Sequence, residues 1–171
     1  QISLDDAHVF CTPDQVQDEV HRALGAIERA YATLGIDDHY FRLSKRAPGN
    51  QYLGDLHQWE SAERQLRSAL DAIGVEYVEA AGEAAFYGPK IDVQVRDARG
   101  REETVSTVQL DFNQPERFGL QYTGEDGQAH RPVMIHRGVL GSMERMVAML
   151  IERYDGRMPP CAANRRPEPD G

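Results

Sequence analysis

The apolar residues of this 171-residue chain recur at two different spacings, and each spacing predicts a different kind of element. Spacings of three and four, typical of an amphipathic helix, follow Thr12 as far as Gly35 and run again from about Gln58 to Ile73. Thr12 is the expected N-cap of the first helix because a proline follows it and a glutamine stands three residues on. Asp55 is the expected N-cap of the second helix.

Apolar and polar residues alternate along most of the remaining chain, which predicts β-strands. A turn at 97–100 joins two of these strands as a hairpin, and a turn at 124–127 precedes another. The predicted strands are residues 4–11, 38–44, 75–80, 90–97, 101–112 and 133–135. Helix, strand and helix followed by an antiparallel meander predict an α+β domain with helices on one face of a sheet.

The segment 131–154 joins an apolar strand to a helix through a glycine-rich turn. Ser142 is the expected N-cap of this helix, and Arg145 lies in its first turn. A cation at that position gains nothing from the helix macrodipole, which favours anions there. Arg145 is therefore either a member of a surface ion pair or, with the free N–H groups of the turn, part of an anion site. The pattern alone leaves both interpretations open.

Composition and charge narrow the function classes. The chain has 19 basic and 28 acidic side chains, a formal net charge of −9, so any contact with a nucleic acid needs a local patch. Two cysteines without a spaced framework predict a reducing, cytoplasmic location. No apolar stretch is long enough to span a membrane, and no basic-then-apolar signal opens the sequence. We expect residues 159–171, rich in proline and charge, to form a disordered tail.

Three polar residues of the predicted strands are candidates for a site. In a strand, Asp6 and His8 share one face while Cys11 takes the other, so His8 and Cys11 do not form a metal pair. Gln109 alternates with apolar neighbours and faces either a pocket or solvent. His8 and His136 are far apart in the sequence, and without further information they are a weak indication of a metal site.

Four ordered motifs change this picture. The segment GVLGSMER, which follows VMIH, resembles motif 3 of class II aminoacyl-tRNA synthetases. The segments AFYGPKID within 84–92, TVQLDFNQPERF at 107–118 and DDAHVFCTPDQV at 5–16 resemble the catalytic core of threonyl-tRNA synthetases. The likeness covers roughly residues 3 to 158, so we expect a class II synthetase-like antiparallel sheet flanked by helices over 1–158.

The resemblance implies ATP-dependent threonine activation followed by transfer to tRNA-Thr, with Mg²⁺ assisting. It implies that Arg145 is the catalytic residue that holds the ATP γ-phosphate, and that the protein forms a homodimer or works with a partner chain. It also implies that His8 and His136 are two of three zinc ligands and that Asp6 accepts the threonine hydroxyl. The remaining substrate-binding residues that it implies are Tyr87, Lys90, Gln109 and Ser142.

The departures from the family pattern lie mostly on the ATP side. Ile2, Leu4 and Thr104 stand where an aromatic residue and two glutamines are expected. Motif 1, the motif 2 arginine and the third zinc ligand, a cysteine, are absent from the 171 residues, which predicts a partial core. Three functions remain open: a synthetase core incomplete on its own, a stand-alone paralogue that binds or activates threonine or a related amino acid without charging tRNA, or a non-catalytic sensor domain.

Overall fold

The structure, a computed structural model, describes residues 2–49, 51–97 and 99–162. Its helices are α1 (Val16–Leu34), α2 (Leu56–Ile73), α3 (Asn113–Arg117) and α4 (Met143–Tyr154). Its strands are β1 (Ala7–Cys11), β2 (His39–Lys45), β3 (Tyr77–Ala81), β4 (Lys90–Arg96), β5 (Glu102–Asp111), β6 (Tyr122–Thr123), β7 (Ala129–His130) and β8 (Val133–Gly138). The α+β prediction is therefore confirmed.

Six strands form one sheet in the order β1-β8-β5-β4-β2-β3, and β6 pairs with β7 in a separate hairpin. All neighbours in the large sheet are antiparallel except β2 and β3. The predicted meander holds for β4, β5 and β8 but is wrong for β3. That strand pairs in parallel with β2 at the sheet edge, because α2 carries the chain back across the sheet.

One face of the sheet is apolar and lies under the helices. Alternate residues on the central strands are apolar and buried, and those of β4 and β5 include Ile91, Val93, Val95, Val108 and Leu110. They join the inward faces of α1, α2 and α4 in one core. The opposite face carries the polar residues of the same strands, among them Asp92 and Gln109. The alternation of the strands therefore leaves one face for packing and one for chemistry.

Most predicted boundaries agree with the structure to within a few residues, with two larger differences. Helix α1 begins at Val16 rather than next to Thr12, and the Gln15 side chain accepts a hydrogen bond from the Thr12 N–H at 3.0 Å. The sequence pattern did not predict α3, which has only five residues. Ala98 of the predicted hairpin turn and residues 163–171 of the predicted tail lie outside the described residues. No helix of the described chain is long and apolar enough to cross a membrane.

Candidate functional site

Four of the predicted site residues lie in one row across the polar face of the sheet. Lys90 on β4 is the register partner of Gln109 on β5, Gln109 is the partner of His136 on β8, and His136 is the partner of His8 on β1. Register partners have side chains about 5 Å apart on the same face. Strand pairing therefore brings together residues from four separate motifs.

The two imidazoles are in direct contact. The ring centroids of His8 and His136 are 4.7 Å apart and the ring planes are nearly perpendicular. The His136 Nε2 donates to the Asp111 carboxylate at 2.8 Å, because a carboxylate can only accept. Asp111 is fully buried, and its other oxygen accepts from two backbone N–H groups at the start of α3. This anchoring leaves the His136 Nδ1 as the nitrogen available to a ligand.

Tyr87 is held over the same row by a close contact of the loop before β4. A Cβ on Gly88 would lie 1.9 Å from the Leu110 carbonyl oxygen, so only glycine permits this approach. The Tyr87 hydroxyl donates to Gln109, and its ring centroid lies 5.6 Å from that of His136. Burial raises the pKa of the Tyr87 hydroxyl, and the charges of Asp111 and Asp6 raise it further. Two carboxylates, Asp111 and Asp6, therefore make the surroundings of the Tyr87 hydroxyl electrically negative.

A second row of polar residues runs beside the first. Asp92 is buried and accepts hydrogen bonds from Arg42 at 3.0 Å, from Ser44 at 2.8 Å and from Lys90. Its other oxygen accepts from the Thr107 hydroxyl at 3.2 Å. Lys90 is therefore held within the sheet surface by a carboxylate that the motifs did not single out.

Asp5 joins the beginning of the chain to the glycine-rich turn before α4. Its carboxylate accepts from the N–H groups of Val139, Leu140 and Gly141 at 2.9–3.0 Å. The adjacent carboxylate of Asp6 reaches the same turn, because a Cβ on Gly138 would lie 3.3 Å from its oxygen. The contacts of Asp5 therefore fix Asp6 relative to α4.

Ser142 and Arg145 lie at the start of α4, away from the row of histidines. The Ser142 hydroxyl accepts from the Arg145 N–H at 3.4 Å and donates to Glu144, so it acts as the predicted N-cap. The Arg145 guanidinium is exposed and contacts Glu103 and the Thr104 carbonyl at 3.4 Å. Thr104 precedes Gln109 by five residues of β5, which places the Arg145 contact about 17 Å along the sheet from the first row.

Four residues of the site were missed by sequence reasoning: Asp5, Asp92, Thr107 and Asp111. Asp92, Thr107 and Asp111 share the strand face of Lys90 and Gln109, so the alternation was the signal that could have found them. Asp5 had no such signal, because its partners are backbone groups far along the chain. Within 2–49, 51–97 and 99–162, no group of three or more His, Cys, Asp or Glu residues has the arrangement of a metal site.

Comparison with known proteins gives consistent matches along the chain. The family described as "tRNA synthetase class II core domain (G, H, P, S and T)" matches residues 1–154. The threonine--tRNA ligase of Geobacillus sp. (strain WCH70) is 56% identical over 160 residues, which are 92% of this chain and 25% of that protein. The chain thus spans about a quarter of the length of the curated relatives it matches.

Solved structures of synthetases have the same fold. The structure described as the RNA binding domain of threonyl-tRNA synthetase from Cryptosporidium parvum Iowa II superposes with a TM-score of 0.86 at 45% identity, over 92% of this chain and 39% of that one. Apo histidyl-tRNA synthetase of S. aureus superposes with a TM-score of 0.62 at 15% identity, over 87% of this chain and 40% of that one. At that identity the second match shows the fold alone.

Proposed function

The chain belongs to the class II tRNA synthetase core family (G, H, P, S and T) and is a threonyl-tRNA synthetase-like domain, and from this premise we propose that it binds threonine and supports its activation by ATP. The observation that carries the proposal is the row Lys90, Gln109, His136 and His8, with Tyr87 against it. All five residues lie in the motifs that resemble the family, and the resemblance assigns them to the binding of threonine or zinc.

On the threonine side, polar groups of both signs face one space. Asp6 is the acceptor for the threonine hydroxyl, and Tyr87 and Gln109 bind the amino acid's other polar groups. Lys90, held by Asp92, contributes charge at the edge of the pocket. An apolar pocket distinguishes threonine poorly from valine, because the two side chains have nearly the same shape. Recognition of the threonine hydroxyl by Asp6 therefore adds specificity.

The two imidazoles fit a shared zinc ion. With zinc–nitrogen distances of about 2.0–2.1 Å and tetrahedral angles, two ligating rings have centroids about 5 Å apart. The observed separation of 4.7 Å is close to this value. His8 and the Nδ1 of His136 would then hold zinc, with the third ligand from outside these residues. When bound, zinc supplies open positions for the amino group and hydroxyl of threonine.

On the ATP side, the chemistry needs charge neutralisation rather than a base. A threonine carboxylate oxygen attacks the α-phosphorus, the bond to the β-phosphate breaks, and pyrophosphate leaves. The ionised carboxylate is already a nucleophile, so no proton has to be removed. Arg145, assisted by Mg²⁺, holds the γ-phosphate in this proposal. The N–H groups of Met143 and Arg145 already donate to the Ser3 carbonyl and the Ser142 hydroxyl, so the guanidinium is the group that meets the phosphate. The capping of α4 by Ser142 keeps Arg145 in its first turn.

Transfer to tRNA, dimer formation and a cytoplasmic location belong to the proposal as well. The chain itself has an excess of nine negative charges, so tRNA contact needs a local basic surface. The relatives are about four times longer than this chain, and their additional length is where further ATP and tRNA contacts would lie.

Two measurements test the proposal. We expect calorimetry to detect threonine binding that His136→Ala abolishes and that His21→Ala, an exposed substitution on α1, leaves unchanged. We also expect threonine-dependent exchange of pyrophosphate into ATP. Unchanged binding in His136→Ala would overturn the site assignment. Threonine binding without exchange would instead favour the paralogue that recognises threonine and charges no tRNA, consistent with the altered residues Ile2, Leu4 and Thr104.

A further inference from the structure

A continuous relay of hydrogen bonds leads from the buried Asp92 through Thr107 and Gln109 to the Tyr87 hydroxyl. Thr107 donates to Asp92 at 3.2 Å, the Gln109 amide nitrogen donates to the Thr107 oxygen at 3.1 Å, and Tyr87 donates to the Gln109 amide oxygen. Asp92 and Thr107 are register partners on β4 and β5. Neither residue was a predicted site residue.

The ionised Asp92 carboxylate determines which group donates and which accepts in every hydrogen bond of this relay. An ionised carboxylate accepts hydrogen bonds and cannot donate, so the single Thr107 hydroxyl proton points to Asp92. The Thr107 oxygen is then left with lone pairs, so the Gln109 group that faces it is the amide NH₂. The Gln109 amide oxygen consequently faces Tyr87, and the Tyr87 proton is used in that bond.

We propose that Asp92 and Thr107 are positioning residues that fix the sense of hydrogen bonding in Gln109 and Tyr87, so that Tyr87 presents its lone pairs to the amino group of the substrate. The inference rests on the proposed function, because it names the part of threonine that Tyr87 recognises. The hydroxyl oxygen of Tyr87 has two lone pairs and one proton, and the proton is already committed. An amino group presents N–H donors both as the free ammonium and when its nitrogen binds a metal ion, so it is the complementary partner.

The charges around Tyr87 agree with a ligand group whose N–H bonds carry positive charge. Asp6 and Asp111 are close enough to Tyr87 to influence its ionisation. Two cations on the same face of the sheet, Arg42 and Lys90, are both paired with Asp92. Asp92 therefore holds the Lys90 ammonium, which lowers the repulsion between Lys90 and the positively polarised amino group of the substrate.

Thr107 offers a matched pair of variants. Thr107→Val keeps the size and removes the hydroxyl, whereas Thr107→Ser keeps the hydroxyl. We expect Thr107→Val to weaken threonine binding about tenfold, the range for a lost hydrogen bond to a charged group, and Thr107→Ser to change it less than about twofold. Binding of 3-hydroxybutyrate, which lacks the amino group, should be the same in all three proteins.

The comparison of the two ligands separates positioning from general structure. If Thr107→Val weakens both ligands equally, Thr107 merely stabilises the pocket and the inference is wrong. If Thr107→Val binds threonine like the unmodified chain, the relay does not act on Tyr87 and the inference is also wrong.

A second readout needs no ligand. The Gln109 side-chain amide resonance, assigned by its loss in Gln109→Glu, should move in the free protein on Thr107→Val and stay in place in Thr107→Ser. Absence of this difference would overturn the relay itself. If the unmodified chain binds no threonine, the proposed function fails, and the amide resonance alone then decides whether the relay exists.

Discussion

Removing the Asp5 carboxylate should destabilise the whole domain, because three backbone N–H groups depend on it. In Asp5→Ala the N–H groups of Val139, Leu140 and Gly141 lose their acceptor. Gly141 packs directly on β5, since a Cβ there would lie 2.3 Å from the Val105 carbonyl oxygen. In the native turn no other acceptor replaces the Asp5 carboxylate for these three groups.

The magnitude follows from the number of bonds and their exposure. A hydrogen bond to a charged group contributes about 1.5–3 kcal/mol when buried and a neutral one about 1 kcal/mol. Asp5 is half-buried, so water partly replaces it and the lower value applies. Three bonds then contribute about 3 kcal/mol. This is a large fraction of the roughly 5–15 kcal/mol typical of a domain.

Urea unfolding followed by the fluorescence of Trp59, the single tryptophan and a buried one, measures this loss. Asp5→Asn keeps one carbonyl acceptor and should lose about half as much as Asp5→Ala. Asp126→Ala is the control, because Asp126 accepts one backbone N–H in an exposed hairpin. A loss in Asp5→Ala no larger than in Asp126→Ala, at equal m-values, would refute the reasoning.

Three further predictions concern the site and its support. In Asp111→Asn the amide oxygen stays on the two backbone N–H groups of α3, so an NH₂ group faces His136 and forces the other imidazole tautomer. The Zn²⁺ affinity measured by competition titration should then fall about 10–100-fold. An unchanged Zn²⁺ affinity would exclude His136 Nδ1 as the ligand. Burial raises the pKa of Cys11 to about 11, so the free energy of unfolding should fall as pH rises from 9 to 11, where the unfolded thiol ionises and the folded one does not. In Cys11→Ser the fall should be smaller, and what is left comes from tyrosines such as Tyr31 and Tyr87, whose pKa burial also raises. An equal fall in both proteins would contradict the prediction. Gly88→Ala should cost about 1–3 kcal/mol in urea unfolding and should displace Tyr87 and weaken threonine binding, because its Cβ meets the backbone of β5. Gly100→Ala is also strained, since its φ is +75°, but it should lose stability without losing threonine binding. Equal threonine binding in the two variants would contradict the prediction.

Local sequence patterns were enough to predict where α2 and α4 begin, because an N-cap depends only on neighbouring residues. The boundaries of α2 agree with the predicted cap at Asp55, whose side chain accepts from the Gln58 N–H at 2.8 Å. Helix α4 likewise begins after Ser142. The parallel pairing of β3 with β2 was not predicted, because strand order depends on the path of the chain between strands and leaves no mark in the alternation of either strand.

The resemblance to threonyl-tRNA synthetases, identified from four motifs, is confirmed by the matching relatives. The roles of the individual site residues stay predictions. What the structure adds is their arrangement, including the contact of two histidines from opposite ends of the chain.

The sequence by itself determined which residues share a strand face, because side chains alternate with a period of two in any strand. It placed Gln109 on the polar face and Val108 on the apolar one before any partner was known. Only the tertiary structure decided that Thr107 faces Asp92 and that Gln109 faces His136. Register is set by the pairing of whole strands and by the bulge after Val93, and a slip of one residue would separate every pair.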